Sequence, residues 1–127
     1  MKLLHFSDLH LDAPFASSES PLARKRRQRL RDVLRRITAL AVDVGAEALL
    51  CGGDLYEHDR CSADTGEFLR ESFAQVAPMS VYLAPGNHDW LGPTSLYRTT
   101  RWTPNVFIFQ SDRPIWKLVE CHDSLHS

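Results

Sequence analysis

Long apolar runs are missing from this sequence. No stretch approaches the roughly 20 apolar residues that a membrane-spanning helix needs. The opening Met1-Lys2-Leu3-Leu4-His5 lacks the apolar core and small-residue cleavage site of a signal peptide and runs directly into a strand-like segment. A soluble, cytoplasmic protein without a membrane partner is expected. Cysteine is scarce too. Cys51, Cys61 and Cys121 are odd in number, and their spacing fits neither a zinc ribbon nor a disulfide framework. Reduced thiols are the simpler reading. Net charge is nearly absent, at −1 over 127 residues, so overall charge identifies no partner. Internal repeats, low-complexity segments and linkers are lacking.

What is present has an alternating order. Lys2 to Phe6 reads as a strand, followed by a polar loop from Asp8 to Ser20. Ser20-Pro21 is a helix start, with Ser as N-cap and Pro at the first helical position. Leu30, Val33, Leu34, Ile37, Leu40, Ala41 and Val44 then recur at helical spacing, which predicts one buried stripe, and Gly45 is placed to end the helix. Ala48 to Cys51 reads as a buried strand entering a tight Gly52-Gly53 loop. A second helix is predicted to start near residues 62–64, with Phe68, Leu69, Phe73 and Val76 inside and Pro78 as its stop. Ser80 to Ala84 reads as a third strand, and Val106 to Phe109 and Ile115 to Val119 as two more. Strands alternating with helices predict an α/β fold with parallel neighbours.

Three polar clusters each follow one of the first three strands: Asp8-Leu9-His10, Gly52-Gly53-Asp54-Leu55-Tyr56-Glu57 and Gly86-Asn87-His88-Asp89. Any one alone reads as a polar turn. Groups just beyond the carboxyl ends of adjacent parallel strands share one crevice, so the topology is expected to bring Asp8, His10, Asp54, Asn87 and His88 together. Carboxylate and imidazole in one set suit Mn, Fe, Zn or Ni better than Mg or Ca alone. A carboxylate such as Asp54 can bridge two cations, and two cations can clamp a phosphoryl displacement.

These clusters resemble the signature of the calcineurin-like metallophosphoesterases: D-x-H, then G-D-x-x-[DE], then G-N-H-[DE]. The resemblance implies two divalent ions, with Mn foremost and Fe, Zn, Ni or Mg as alternatives. It implies that Asp8 and His10 hold one ion, that Asp54 bridges both and that Asn87 binds the second. His88 would protonate the leaving oxygen or stabilise the transition state, with Glu57 and Asp89 orienting the ligands. The stretch from His5 to Phe15, the arginine-rich helix and Asn105-Val106-Phe107-Ile108-Phe109 are similar to the nuclease subunit of SbcCD-type DNA-repair complexes and their eukaryotic counterparts. That likeness implies a DNA repair exonuclease, with an ATPase partner subunit and a homodimeric full-length protein as further expectations. A small-nucleotide phosphodiesterase and an inactive, binding-only fragment are the alternatives.

Two later histidine motifs of the family, a lone His and a G-H-x-H, do not occur in the chain. His122 and His126 sit in a polar tail with the wrong spacing. Residues 1–127 are therefore expected to be the N-terminal portion of a longer metallophosphoesterase domain, the first half of its layered sandwich.

Eight of the fifteen Lys and Arg residues lie between Arg24 and Arg36, against the single acid Asp32. They read either as the solvated side of a helix or as contacts to DNA phosphates, with Arg24, Arg27 and Arg31 as candidates. Trp90, Tyr97 and Trp102 read either as ordinary core or surface packing or as rings that stack on bases.

Overall fold

A computed structural model of the chain describes residues 1–11, 20–57, 63–86 and 92–109. Among them, four strands form one sheet in the order β1-β2-β3-β4: Leu3–Phe6, Ala48–Cys51, Ser80–Leu83 and Val106–Ile108. All three pairings are parallel. Helix α1 (Pro21–Asp43) connects β1 to β2, and α2 (Ala63–Ala74) connects β2 to β3. A one-turn helix, α3 (Leu96–Thr99), lies between β3 and β4, where the sequence pattern predicts neither helix nor strand. The expected strand at Ile115 to Val119 falls outside the described residues. No helix among the described residues is long and apolar enough to cross a membrane.

α1 starts where its capping chemistry predicts. The Ser20 side chain accepts a hydrogen bond from the Ala23 amide at 3.0 Å, and Pro21 occupies the first turn, where a missing N–H costs nothing. At the other end Gly45 adopts φ +68°, and the amides of Gly45 and Ala46 donate back to the carbonyls of Val42 and Ala41. This reversal satisfies carbonyls that the helix itself leaves unpaired. The buried stripe is narrower than the apolar pattern. Ala23, Leu34, Thr38 and Ala41 are buried and Leu30 and Ile37 half-buried, whereas Val33, Leu40 and Val44 face solvent. Successive helical residues turn by about 100°, so Val33 and Leu40 lie about 100–120° round the helix from Leu34, beyond the face that the sheet covers.

Strand alternation sorts the sheet into two faces. Leu4, Leu49, Val81 and Val106 share one register row, and Phe6, Cys51, Leu83 and Ile108 the next. These rows join Leu34 and Ala41 of α1 and Leu69 and Phe73 of α2 in one core. Each fully buried aliphatic side chain contributes about 1.5–3 kcal/mol. The opposite face carries the row His5, Leu50, Tyr82 and Phe107, and the Tyr82 ring sits 6.1 Å from Phe107 and 6.5 Å from Phe109.

Two polar ties hold the far side of the sheet. The Asn105 side-chain amide donates to the carbonyl oxygens of Phe73 at 3.0 Å and Met79 at 2.9 Å, fastening the start of β4 to the turn between α2 and β3. α3 approaches α2 so closely that a Cβ on Gly66 would stand 2.7 Å from Thr100 Oγ1.

Candidate metal centre

Beyond the sheet, the chain segments after β1 and β2 continue side by side. The amides of Asp8, His10 and Leu11 donate to the carbonyl oxygens of Gly53, Asp54 and Leu55 at 3.0, 2.9 and 3.0 Å, and Glu57 N–H returns to the Leu11 carbonyl at 2.9 Å. Leu9, Leu11, Leu55 and Tyr56 are buried beneath this zipper. They anchor both loops in the core and leave the intervening polar residues on the outer side. The Tyr56 hydroxyl accepts the Leu96 amide at 3.0 Å, so α3 is fastened to the loop that presents Asp54 and Glu57.

The backbone at this edge is unusual. Asp8, His10 and Asp54 have φ of 58°, 52° and 51°, and no other non-glycine residue among those described has positive φ. Such left-handed residues cost about 1–3 kcal/mol each and persist where the surroundings over-determine them. Here the zipper supplies that determination. The outcome is that ligand atoms of Asp8, His10 and Asp54 all lie within 4.8 Å of one another.

His10 is held from behind. Its Nδ1 stands 3.0 Å from Glu57 Oε1 and its Nε2 3.9 Å from Asp8 Oδ1. A carboxylate can only accept from the ring, so the Glu57 contact draws the proton to Nδ1 and turns the Nε2 lone pair toward Asp8. Glu57 is more deeply buried than its partners, with 17% side-chain exposure against 31% for His10 and 67% for Asp8. A half-buried carboxylate behind a more exposed imidazole is the arrangement that orients metal-binding histidines.

The loop after β3 meets the same point. A Cβ on Gly86 would stand 2.5 Å from Asp54 Oδ1, and one on Gly53 would stand 3.3 Å from Gly86 Cα. Only glycine at 86 permits that approach. Asn87, His88, Asp89 and Trp90 follow immediately and lie outside the described residues, as do His122 and His126. Two carboxylates and an imidazole in one cluster fit a borderline divalent cation.

The comparison with known families agrees. The calcineurin-like phosphoesterase family profile matches residues 1–125. The chain belongs to that family. It is also 30% identical over 119 residues to the "Uncharacterized metallophosphoesterase YhaO" of Bacillus subtilis (strain 168), an alignment covering 90% of this chain. The chain spans 29% of that relative's length. As a calcineurin-like phosphoesterase, the chain carries the D-x-H and G-D-x-x-E motifs of its family as neighbours in space as well as in sequence.

The remaining candidates divide differently. Arg24 is exposed and Arg27 half-buried, while Arg31 is held by Asp64 at 2.9 Å and lies over the Phe68 ring. Tyr97 is buried against Tyr56, and Trp102 donates its indole N–H to the Tyr97 carbonyl. The Tyr97 ring therefore serves packing, while Trp102 is half-buried. What sequence reasoning missed is the left-handed backbone at three candidate ligand positions. The Gly52-Gly53 pair signals a tight turn nearby but not its extension to Asp8 and His10.

Proposed function

We propose that this chain supplies the first half of a two-metal site, and that the full-length protein hydrolyses phosphodiester bonds in DNA. The observation that carries the reading is the Asp8, His10 and Asp54 cluster, with ligand atoms within 4.8 Å and His10 backed by Glu57. In this proposal Asp8, His10 and Asp54 would hold the first ion, and Asp54 and Asn87 would contribute to the second, with Mn the preferred metal. When bound, the ions supply Lewis-acid charge opposite the phosphate oxygens and acidify water. The chain's own groups do the rest. Glu57 fixes the orientation of the His10 ring, Gly86 lets the third loop close on Asp54, and His88 would deliver a proton to the leaving oxygen, with Asp89 orienting it.

DNA is favoured over a small nucleotide by the likeness of His5 to Phe15 to SbcCD-type nucleases. The test is hydrolysis of single- and double-stranded DNA and of a cyclic nucleotide by the full-length protein in Mn²⁺, beside Asp54→Ala. DNA hydrolysis that vanishes in the variant is expected. Turnover of the cyclic nucleotide alone would replace DNA with a small substrate. Unchanged DNA hydrolysis in Asp54→Ala would move the active site elsewhere.

A further inference from the structure

α1 is charged against its own dipole. Its first seven residues are Pro21-Leu22-Ala23-Arg24-Lys25-Arg26-Arg27, with no acid in the first turn, and it closes on Asp43 with no base in the last. A helix N-terminus carries partial positive charge, so helix stability favours the reverse pattern. A local rule broken along a whole element suggests a use outside the fold.

Some of these cations have structural duties. Arg31 binds Asp64, Arg35 binds Asp32, and both guanidinium groups stand 5.0 Å from the Phe68 ring centroid. Lys25, Arg29 and Arg36 are different. All three are exposed. Helical geometry places them within a sector about 40° wide, on the side away from buried Leu34, along about 16 Å of axis. Asp43 ends the same line, so the positive charge is concentrated toward the N-terminal end. That end is the one nearer the metal centre. α1 joins two parallel strands and must run back against them, so its start lies at the edge where Asp8, His10 and Asp54 follow the strands.

We infer that Lys25, Arg29 and Arg36 form a track for the sugar-phosphate backbone of DNA, leading from the metal centre along the outer face of α1. The inference rests on the proposed DNA substrate. Like charges repeated along one line match a polyanion with repeated charges, and the contact would carry no base preference. The exposed aliphatics Leu22, Val33, Leu40 and Val44 run along the neighbouring sector. They would matter instead if a protein helix docked here.

The experiment measures binding without chemistry. A fluorescein-labelled single-stranded oligonucleotide is titrated with full-length protein in EDTA at several NaCl concentrations, read by anisotropy. The triple variant Lys25→Gln, Arg29→Gln, Arg36→Gln should bind more weakly. Its plot of log affinity against log salt should be shallower by about 2, as expected for three lost single-strand phosphate contacts. Circular dichroism should show an unchanged fold. Hydrolysis of bis(p-nitrophenyl) phosphate in Mn²⁺ should equal that of the parent, which separates this surface from the catalytic reading. Affinity and salt slope equal to the parent's would overturn the track. So would a larger loss of DNA binding from Leu22→Ser, Val33→Ser, Leu40→Ser than from the charge variant, which would mark an apolar docking face.

Discussion

His10 and Glu57 lie 47 residues apart in sequence and 3.0 Å apart in space. The contact exists because Asp8–Leu11 and Gly53–Glu57 zip together past the ends of their strands. Glu57 acts on the site through the histidine ring. Glu57→Ala should therefore lower Mn²⁺ affinity by about 10–100-fold, the usual effect of removing a group that orients a metal ligand. Calorimetric titration reads this directly, and Glu57→Gln should keep more affinity than Glu57→Ala because it can still accept from Nδ1. Equal affinity in parent and Glu57→Ala would show that His10 is oriented by something else.

Two glycine substitutions should separate site geometry from stability. Gly86→Ala places a Cβ 2.5 Å from Asp54 Oδ1 and 2.8 Å from the Asp54 amide nitrogen. Part of what it meets is backbone, so Asp54 must move and metal affinity should fall at least about tenfold, as for loss of an orienting contact. Gly45→Ala meets nothing within 4 Å but sits at φ +68°. It should cost about 1 kcal/mol in denaturant unfolding and leave metal affinity unchanged. The reverse assignment of effects would contradict the geometry of the Asp54 loop.

Removing the proposed proton donor should spare the ions. His88→Ala is expected to slow phosphodiester hydrolysis by about 10²–10⁴-fold in the full-length protein. Mn²⁺ titration of the same variant should match the parent. If the titration instead shows one ion lost, His88 belongs to the ligand set.

Asn105→Ala tests the tie at the far edge of the sheet. It deletes donors to both Phe73 and Met79 carbonyls, which then lack those partners. The Phe73 carbonyl keeps the Val76 amide at 3.3 Å, so the Met79 carbonyl bears most of the loss. Leaving one such group unsatisfied costs about 1–3 kcal/mol when buried, so the loss should be about 1–3 kcal/mol in chemical denaturation, with metal affinity intact. A change below about 0.5 kcal/mol, the usual range for surface substitutions, would mean that water replaces the amide.

Much of this molecule can be read without coordinates because its signals are local. Ser20-Pro21 and Gly45 bound α1 through capping chemistry that depends on neighbouring residues alone. The apolar runs at Ala48–Cys51 and Val81–Leu83 are short and continuous, as in strands covered on both faces. Alternation with helices then fixes parallel pairing, and parallel pairing directs Asp8, His10 and Asp54 to one edge. The family motifs name those residues for the same reason, since spacing after a strand end is a linear property.

Tertiary structure decided what depends on distance across the chain. Seven apolar positions on α1 do not reveal that Val33, Leu40 and Val44 miss the sheet, because burial depends on where the partner surface stops. A run of arginines does not reveal that Arg31 is taken by Asp64 and Phe68 while Lys25, Arg29 and Arg36 face outward. Asp and His adopt left-handed backbone more readily than most side chains, but that preference is too weak to announce it at Asp8, His10 and Asp54. That conformation is disfavoured residue by residue and is sustained by hydrogen bonds between two loops that only the folded sheet brings alongside each other.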